Sequence, residues 1–464
     1  MHPSVKGWKN GWQRFGEVLL PLQEQFPEVI ALMRYLVGMV STNHSGVPAS
    51  SQAGAEVVEW ISGETAARQE GRASGVLFIP ILSQSYCLGA CLRIANEIHQ
   101  SNPEIPIYVA KPDGPSVRLP SFVEIIDFSS LRKQSWIRLP EALARASSCW
   151  RALCQVLGRD KIICEELVRV YGNWKLHLFR WSCLYHYDER VATKFLEQKG
   201  IRSVVAINDV VKPAAPVISA GRKLGVRSVV LQHGTPGPQS APFLADEGWV
   251  WGETSRQALI TFGADSERLQ IMGSLEGESV SQKESCEKDG PRVLLFLAQW
   301  RATKGWGEPF FQEVFDLLRE VLAKRSGRWK LRVRLHPTDP AEAQSDIASR
   351  LDHPAVKVEF GKEGISMSDE LVEADALLSV NSSGLMNGVS GNLPTAQILP
   401  TELEQMAGPA LLNSENLLRD GEDLKQWLSR AEENDPAILN SISEVLANRG
   451  KVASLMANEL IISR

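Results

Sequence analysis

Five polar clusters in this 464-residue chain directly follow short apolar runs, which is where loops at the ends of buried strands stand. Asn208-Asp209 follows 203–207, and Gln232-His233-Gly234-Thr235 follows 228–231. Further on, Gln299-Trp300-Arg301 follows 292–298, His336-Pro337 follows 331–335, and Asn381-Ser382-Ser383-Gly384 follows 376–380. Singly, such residues are more often satisfied loop residues than catalysts. At the carboxyl ends of parallel strands they converge on one edge, where backbone amides and helix N-termini also collect.

The types suggest chemistry on a phosphate. The hydroxyls of Ser382 and Ser383, with backbone amides leading into a short helix over 385–389, form a phosphate cradle. His336 could hydrogen-bond a phosphate oxygen and stabilise charge on a departing group. Arg334 shares its strand face and reads equally well as a phosphate contact or a surface cation. Gln299, Arg301, Pro337, Asn381 and Gly384 complete this candidate donor-phosphate rim. Transfer to a hydroxyl also needs a base. The catalytic candidates are Asp209, His336 and His233, with Asp209 the preferred base and a helix cap or turn as its other reading. Asp246-Glu247-Gly248 is a competing carboxylate pair, but it directly precedes the apolar 249–251 and reads as a turn into that strand. Ser83, Gln84, Ser85, Asn208, Gln232, Gly234 and Thr235 make the candidate acceptor cleft. The other six histidines, His2, His44, His99, His177, His186 and His353, fall in helical or loop contexts that suggest no site.

Several classes are excluded. Lys plus Arg total 50 against 55 for Asp plus Glu, so there is no basic field for nucleic acid. No phosphate-binding G-x-x-x-x-G-K-[ST] loop occurs, no G-x-G-x-x-G follows a strand, and no Asp-x-Asp would carry a divalent ion to a diphosphate. The seven cysteines form no C-x-x-C pair and read as reduced thiols. The expectation is metal-independent chemistry without a cofactor, the nucleotide being a substrate. No apolar run approaches the ~20 residues of a membrane span, and the opening residues lack a signal-peptide core, so a cytoplasmic chain is expected. Lys6, Lys9 and Arg14 alternating with Trp8, Trp12 and Phe15 have the composition of an interfacial helix, although a helix packed on the domain is the favoured reading.

The elements that must position these residues follow from apolar patterning. At 44% hydrophobic and 464 residues, the chain exceeds one ordinary core, and two α/β domains are expected. The apolar run 75–82 reads as a strand buried on both faces, with a helix over 90–99 and a strand over 105–110 completing a βαβ unit. Residues 139–196 read as several helices. Strand 203–207, helix 214–224 capped by Gly225, and strand 228–231 continue a parallel sheet, with short strands at 249–252 and 269–272. The polar stretch 276–290 marks a boundary, after which strands at 292–297, 331–335, 356–360, 376–380 and 394–399 build a second Rossmann-like domain ending in helices. The reading divides the chain into an extension over 1–74, an acceptor domain over 75–280 and a donor domain over 281–464.

Between 203 and 399 the chain resembles bacterial surface-polysaccharide transferases of GT-B architecture. It is similar in particular to capsule sialyltransferases and Kdo transferases that use CMP-activated sugars, and to CDP-glycerol-type polymerases. Those families carry a His-Pro pair and, some tens of residues later, a Ser-Ser pair on the donor phosphate, matched here by His336-Pro337 and Ser382-Ser383. Their acidic base motif is matched literally only by Asp246-Glu247-Gly248, which stands in a different structural context. The segment 230–252 is similar to surface-carbohydrate proteins more broadly. The resemblance implies two Rossmann-like domains facing across a cleft, with additional N-terminal helices. It implies sugar transfer from a nucleotide-linked donor, CMP above all, to a surface glycan or glycolipid, with peripheral contact to the inner membrane or a polysaccharide assembly complex. A sugar-nucleotide 2-epimerase and a non-catalytic nucleotide- or glycan-binding protein are the alternatives.

Overall fold

The computed structural model describes residues 15, 17–22, 26, 29–33, 75–81, 85–111, 119–133, 139–210, 212–236, 240–275, 290–298, 308–336, 339, 342–361, 365–400, 412–440, 445–448 and 450–462. The first half runs β1 (Gly75–Ile79), α1 (Ser85–Ser101), β2 (Ile107–Ala110), β3 (Val123–Ile126), α2 (Phe128–Lys133), α3 (Leu139–Leu157), α4 (Lys161–Tyr171) and α5 (Trp174–Lys199). It continues through β4 (Ile201–Ala206), α6 (Ala214–Leu224), β5 (Arg227–Leu231), β6 (Glu247–Val250), α7 (Glu253–Thr261) and β7 (Leu269–Ile271). The second half runs β8 (Arg292–Leu297), α8 (Glu308–Ala323), β9 (Trp329–Arg334), α9 (Glu342–Arg350), β10 (Val358–Phe360), α10 (Met367–Glu373), β11 (Ala376–Ser379) and α11 (Leu385–Ser390). It closes with β12 (Thr395–Ile398), β13 (Leu417–Leu418), α12 (Gly421–Glu432), α13 (Pro436–Asn440) and α14 (Val452–Ile462).

The strands form two parallel sheets, ordered β3-β2-β1-β4-β5-β6-β7 and β10-β9-β8-β11-β12-β13. This is the two-Rossmann, GT-B-type arrangement expected from the sequence. In each sheet the winding reverses beside the first strand, between β1 and β4 and between β8 and β11. A crevice opens at such a switch point because the flanking connections leave in opposite directions.

The continuous apolar runs become strands covered on both faces, because successive side chains point to opposite sides. In β1, Val76 and Phe78 join the cluster under α1, with Cys87, Cys91 and Ile94. Leu77 and Ile79 join the opposite cluster, with Phe195, Leu196, Val217 and Ile218 from α5 and α6. In β8, Leu294 and Phe296 pack on Val314, Phe315 and Leu318 of α8, while Leu295 and Leu297 face Leu385 and Met386 of α11. Left-handed glycines stop the helices as expected: Gly200 ends α5 at φ 60 and Gly225 ends α6 at φ 68.

Some elements depart from the sequence reading. The edge strands β3 and β13 were not expected; β3 exposes both central residues and β13 is two residues long, so neither carries a buried apolar run. The last helix, expected with the second half, crosses back: Val452, Met456, Ala457 and Leu460 of α14 pack in the cluster beneath α1. Its apolar positions find their partner there and not on the second sheet. Phe15 is 2% exposed, in an apolar cluster with Leu19, Phe26 and Met33 and with Cys149, Leu153, Leu167 and Trp174 of α3–α5. The end of the opening segment is thus packed on the domain; Lys6, Trp8, Lys9, Trp12 and Arg14 lie outside the described residues. Cys87, Cys91, Cys149, Cys154, Cys164 and Cys183 are free thiols. No helix among the described residues is long and apolar enough to cross a membrane.

Candidate active site

The carboxyl edges of the two sheets face one another across a cavity of about 360 Å³. From the first half it is lined by Gln232 and His233 after β5, Ile207 after β4, and Arg93 on α1. From the second half come Arg334 and His336 at the end of β9, and Ser382, Ser383 and Gly384 after β11. Both histidines predicted at strand ends therefore meet in one space, together with the Ser-Ser pair. A smaller cavity of about 210 Å³ adjoins it on the first-half side, bordered by Asn208, Asp209, Gln232, His233, Gly234 and Thr235.

The loop bearing His233 is fastened from beneath. Gln232 Nε2 donates to Ser255 Oγ (3.0 Å) and to the Gly234 carbonyl (3.1 Å), while Oε1 accepts the Trp251 amide at 3.0 Å. The indole of Trp251 donates to the Gln232 carbonyl at 3.1 Å. Gln232, expected in the cleft, thus lines it while its amide positions the neighbouring imidazole. Asn208 closes a turn, its Oδ1 accepting the Val210 amide at 3.0 Å. Across the cleft, Thr235 Oγ1 donates to the Asn381 carbonyl at 3.2 Å and ties the His233 loop to the Ser-Ser loop.

On the second half, Ser382 Oγ accepts the Gly384 amide at 3.2 Å. The amides of Leu385, Met386 and Asn387 bond the carbonyls of Ser382, Ser383 and Gly384 at 3.1, 2.9 and 3.0 Å. These backbone amides, expected to face a phosphate, are therefore engaged within the loop, and of the expected cradle the Ser382 and Ser383 side chains line the cavity. Gly384 is needed for closeness: a Cβ there would lie 2.6 Å from Leu297 Cδ1. His336 is exposed at the cavity rim, its loop closed by its own amide donating to Asp339 Oδ2 at 3.0 Å. Arg334 donates to Glu370 Oε2 at 2.6 Å and to the Ile365 carbonyl at 3.2 Å. Glu370 is 2% exposed, so it holds the guanidinium from behind while Arg334 still lines the cavity.

Asp209 is placed differently from the sequence reading, whereas Asp246-Glu247 stands where it was read, at the turn into β6. Asp209, preferred in that reading as the base, is 0% exposed, and its Oδ2 accepts the amides of Leu244 (2.6 Å) and Ala245 (3.2 Å). It borders the smaller cavity from below as the anchor of the 240–246 segment, buried because those amides need an acceptor. Asp246 accepts the amide and hydroxyl of Ser228 at 2.9 and 2.6 Å, and Glu247 is held by Arg227 at 2.6 and 2.7 Å. Both stand at the start of β6, the end of the strand remote from the cavity. Burial pushes the Glu247 carboxyl up, but hydrogen bonds and charge from Arg227 outweigh it, and the net shift is downward.

Ser85 opens α1, whereas Ser83, Gln84, Gln299, Arg301 and Pro337 lie outside the described residues. Sequence reasoning missed Arg93, Trp251, Glu370 and Met456. For Arg93 the available signal was its helical i, i+3 spacing with Ala90. Glu370 had none, because its partner is 36 residues away. No group of three or more His, Cys, Asp or Glu that could hold a metal ion occurs among the described residues.

No family model and no curated protein matches the chain. Solved structures do match in chain path. One is the lipopolysaccharide outer core galactosyltransferase WaaB, 15% identical, with 84% of this chain and 99% of that chain covered at a TM-score of 0.49. A glycosyltransferase from Rickettsia africae matches at 8% identity, 85% and 100% coverage and a TM-score of 0.49. A UDP-GlcNAc 2-epimerase from Neisseria meningitidis, bound to UDP-GlcNAc, matches at 12% identity, 84% and 100% coverage and a TM-score of 0.47.

Proposed function

We propose that the chain is a glycosyltransferase that moves a sugar from a nucleotide-activated donor, CMP-linked, to a hydroxyl of a surface polysaccharide or glycolipid, without a metal ion. The observation that carries this reading is the meeting of His233 with His336, Ser382 and Ser383 in a single cavity between two switch points. The hydroxyls of Ser382 and Ser383, the His336 imidazole and the Arg334 guanidinium bind the donor phosphate. They stabilise the charge that grows as the nucleotide leaves. His233, on the opposite wall, takes the acceptor proton while the acceptor oxygen bonds to the sugar carbon and the carbon–phosphate oxygen bond breaks. The choice of CMP rests on the resemblance of the His-Pro and Ser-Ser pairs. The reaction is assigned to the cytoplasmic side, peripheral to the inner membrane or to a polysaccharide assembly complex.

The test is nucleotide release by the purified chain with a panel of CMP, CDP and UDP sugars and glycan acceptors. Release should require an acceptor. His233→Ala should lower kcat at least ~100-fold, the usual scale for a lost general base, with nucleotide Kd within about twofold. Ser382→Ala should raise nucleotide Kd. Free, altered sugar formed without an acceptor would replace this reading with a 2-epimerase, and nucleotide binding with no turnover would replace it with a non-catalytic binder.

A further inference from the structure

Apolar side chains are exposed together at one tip of the first half. Ile162, Val168 and Leu176 are 51, 53 and 43% exposed, three of the eight large apolar side chains exposed among the described residues, and all three fall within 162–176. The same helices already have a core on their other side, where Ile163 and Leu167 of α4 and Trp174 and Leu178 of α5 join the cluster with Phe15, Leu19 and Leu153. α4 thus carries apolar residues on both faces, and its packing on α3 and α5 uses only one of them. Exposed cations accompany the outer ones. Residues 151–180 hold six Arg and Lys, all exposed (Arg151, Arg159, Lys161, Arg169, Lys175 and Arg180), against three acidic residues, in a chain whose net charge is −5. Of the acids, Asp160 caps α4 and Glu165 lies 3.9 Å from Lys161.

The tip stands on the cavity side of the sheet. Tyr185 of α5 donates to the Ala215 carbonyl, in the first turn of α6, at 3.1 Å, which sets Tyr185 level with the carboxyl edge where α6 begins. At 1.5 Å per residue, Leu176 lies about 14 Å further along α5, away from β4, into which that helix runs. The cluster that anchors the tip accordingly contains no strand residue. Apolar side chains accompanied by cations suit the headgroup layer of an anionic bilayer, where the first enter the acyl boundary and the second meet lipid phosphates. A soluble polyanion would use the cations without the apolar residues. We infer that the tip formed by the end of α3, by α4 and by the start of α5 docks on an anionic bilayer surface. This rests on the peripheral placement proposed above and adds the surface that makes the contact, one that brings the cavity toward lipid-linked acceptors.

The experiment is vesicle flotation of the full chain, with phosphatidylcholine alone and with phosphatidylcholine and phosphatidylglycerol in equal parts. Binding to the anionic vesicles should be about tenfold tighter or more, the scale of a few cations near such a surface, and should weaken with salt. Lys161→Glu with Lys175→Glu should lose about tenfold of that binding, and Ile162→Ser with Val168→Ser and Leu176→Ser should lose as much through the apolar contact. Thermal unfolding checks that both variants fold, and nucleotide Kd should stay within about twofold in each, since none of these residues lines the cavity. Equal binding to the two vesicles, or wild-type binding by either folded variant, overturns the docking. Absence of binding to both vesicles overturns it in favour of a protein partner, and loss of binding on Trp8→Ala with Trp12→Ala alone overturns it in favour of the opening residues. Flotation needs no turnover, so vesicle binding and nucleotide release fail independently.

Discussion

Asp209 and His233 both stand in loops after neighbouring strands of the first sheet, and burial separates their roles. Asp209 has no exposed surface and accepts two backbone amides, whereas His233 lines the cavity. Replacing Asp209 by Ala strands those amides inside the protein, at a cost of roughly 1–3 kcal/mol for each unsatisfied group. Asp209→Ala is therefore expected to lower Tm while turnover per folded molecule stays within about tenfold, a span equal to ~1.4 kcal/mol of barrier. His233→Ala should show the reverse pattern. A variant Asp209→Asn that folds normally yet loses most of its turnover would return the base to Asp209. Gly384 is a second residue whose identity is set by a neighbour. Gly384→Ala would drive a Cβ into Leu297, at 2.6 Å, and displace the Ser382-Ser383 loop, so nucleotide Kd should rise more than Tm falls.

At the scale of elements, the latch between β5, β6 and α14 makes a pH-dependent contribution to stability. Arg227 forks onto Glu247 at 2.6 and 2.7 Å and donates to the Glu459 carbonyl of α14 at 3.0 Å. Glu247 has its carboxyl held below the ordinary glutamate value of 4.5 in the folded chain. A group whose pKa is depressed on folding stabilises above its unfolded value and loses that contribution as pH falls through the folded one. The Tm difference between wild type and Glu247→Gln should thus be full at neutral pH and shrink below about 4.5. A difference independent of pH would show that packing, not charge, holds the latch. The acidic pair Asp246-Glu247 stands away from the cavity because it opens β6, whose other end leads to the cavity-lining Trp251.

For the whole molecule, Trp251 is the joint between halves. It follows β6 of the first sheet, yet it is 2% exposed in the apolar cluster of Leu295, Leu297, Leu385 and Leu446 from the second. Its carbonyl accepts the Ala447 amide at 3.0 Å, and its ring positions the His233 loop through Gln232. Trp251→Ala should cost roughly 3–5 kcal/mol, as for other buried tryptophans. Calorimetry should then resolve separate transitions for the two halves, against a single coupled transition expected for the wild type. A single unshifted transition would remove Trp251 from this role.

Much of this was legible in the residues in order. Strand and helix periods are local, so β8 and α6 were read at their observed bounds, 292–297 and 214–224, and Gly225 as the cap that its left-handed φ of 68 makes it. The polar clusters at strand ends were legible for the same reason, and five of them pointed to one edge. The tertiary structure alone decided which of those residues meet the cavity. His233, His336, Ser382 and Ser383 line it, Asp209 turns inward to backbone amides, Arg93 and Met456 arrive from elements far away in the chain, and Glu370 holds Arg334 from behind. Period and turn chemistry depend on neighbours a few residues apart. Burial, ion pairing and the return of α14 to the first half depend on contacts between segments whose separation no local pattern encodes.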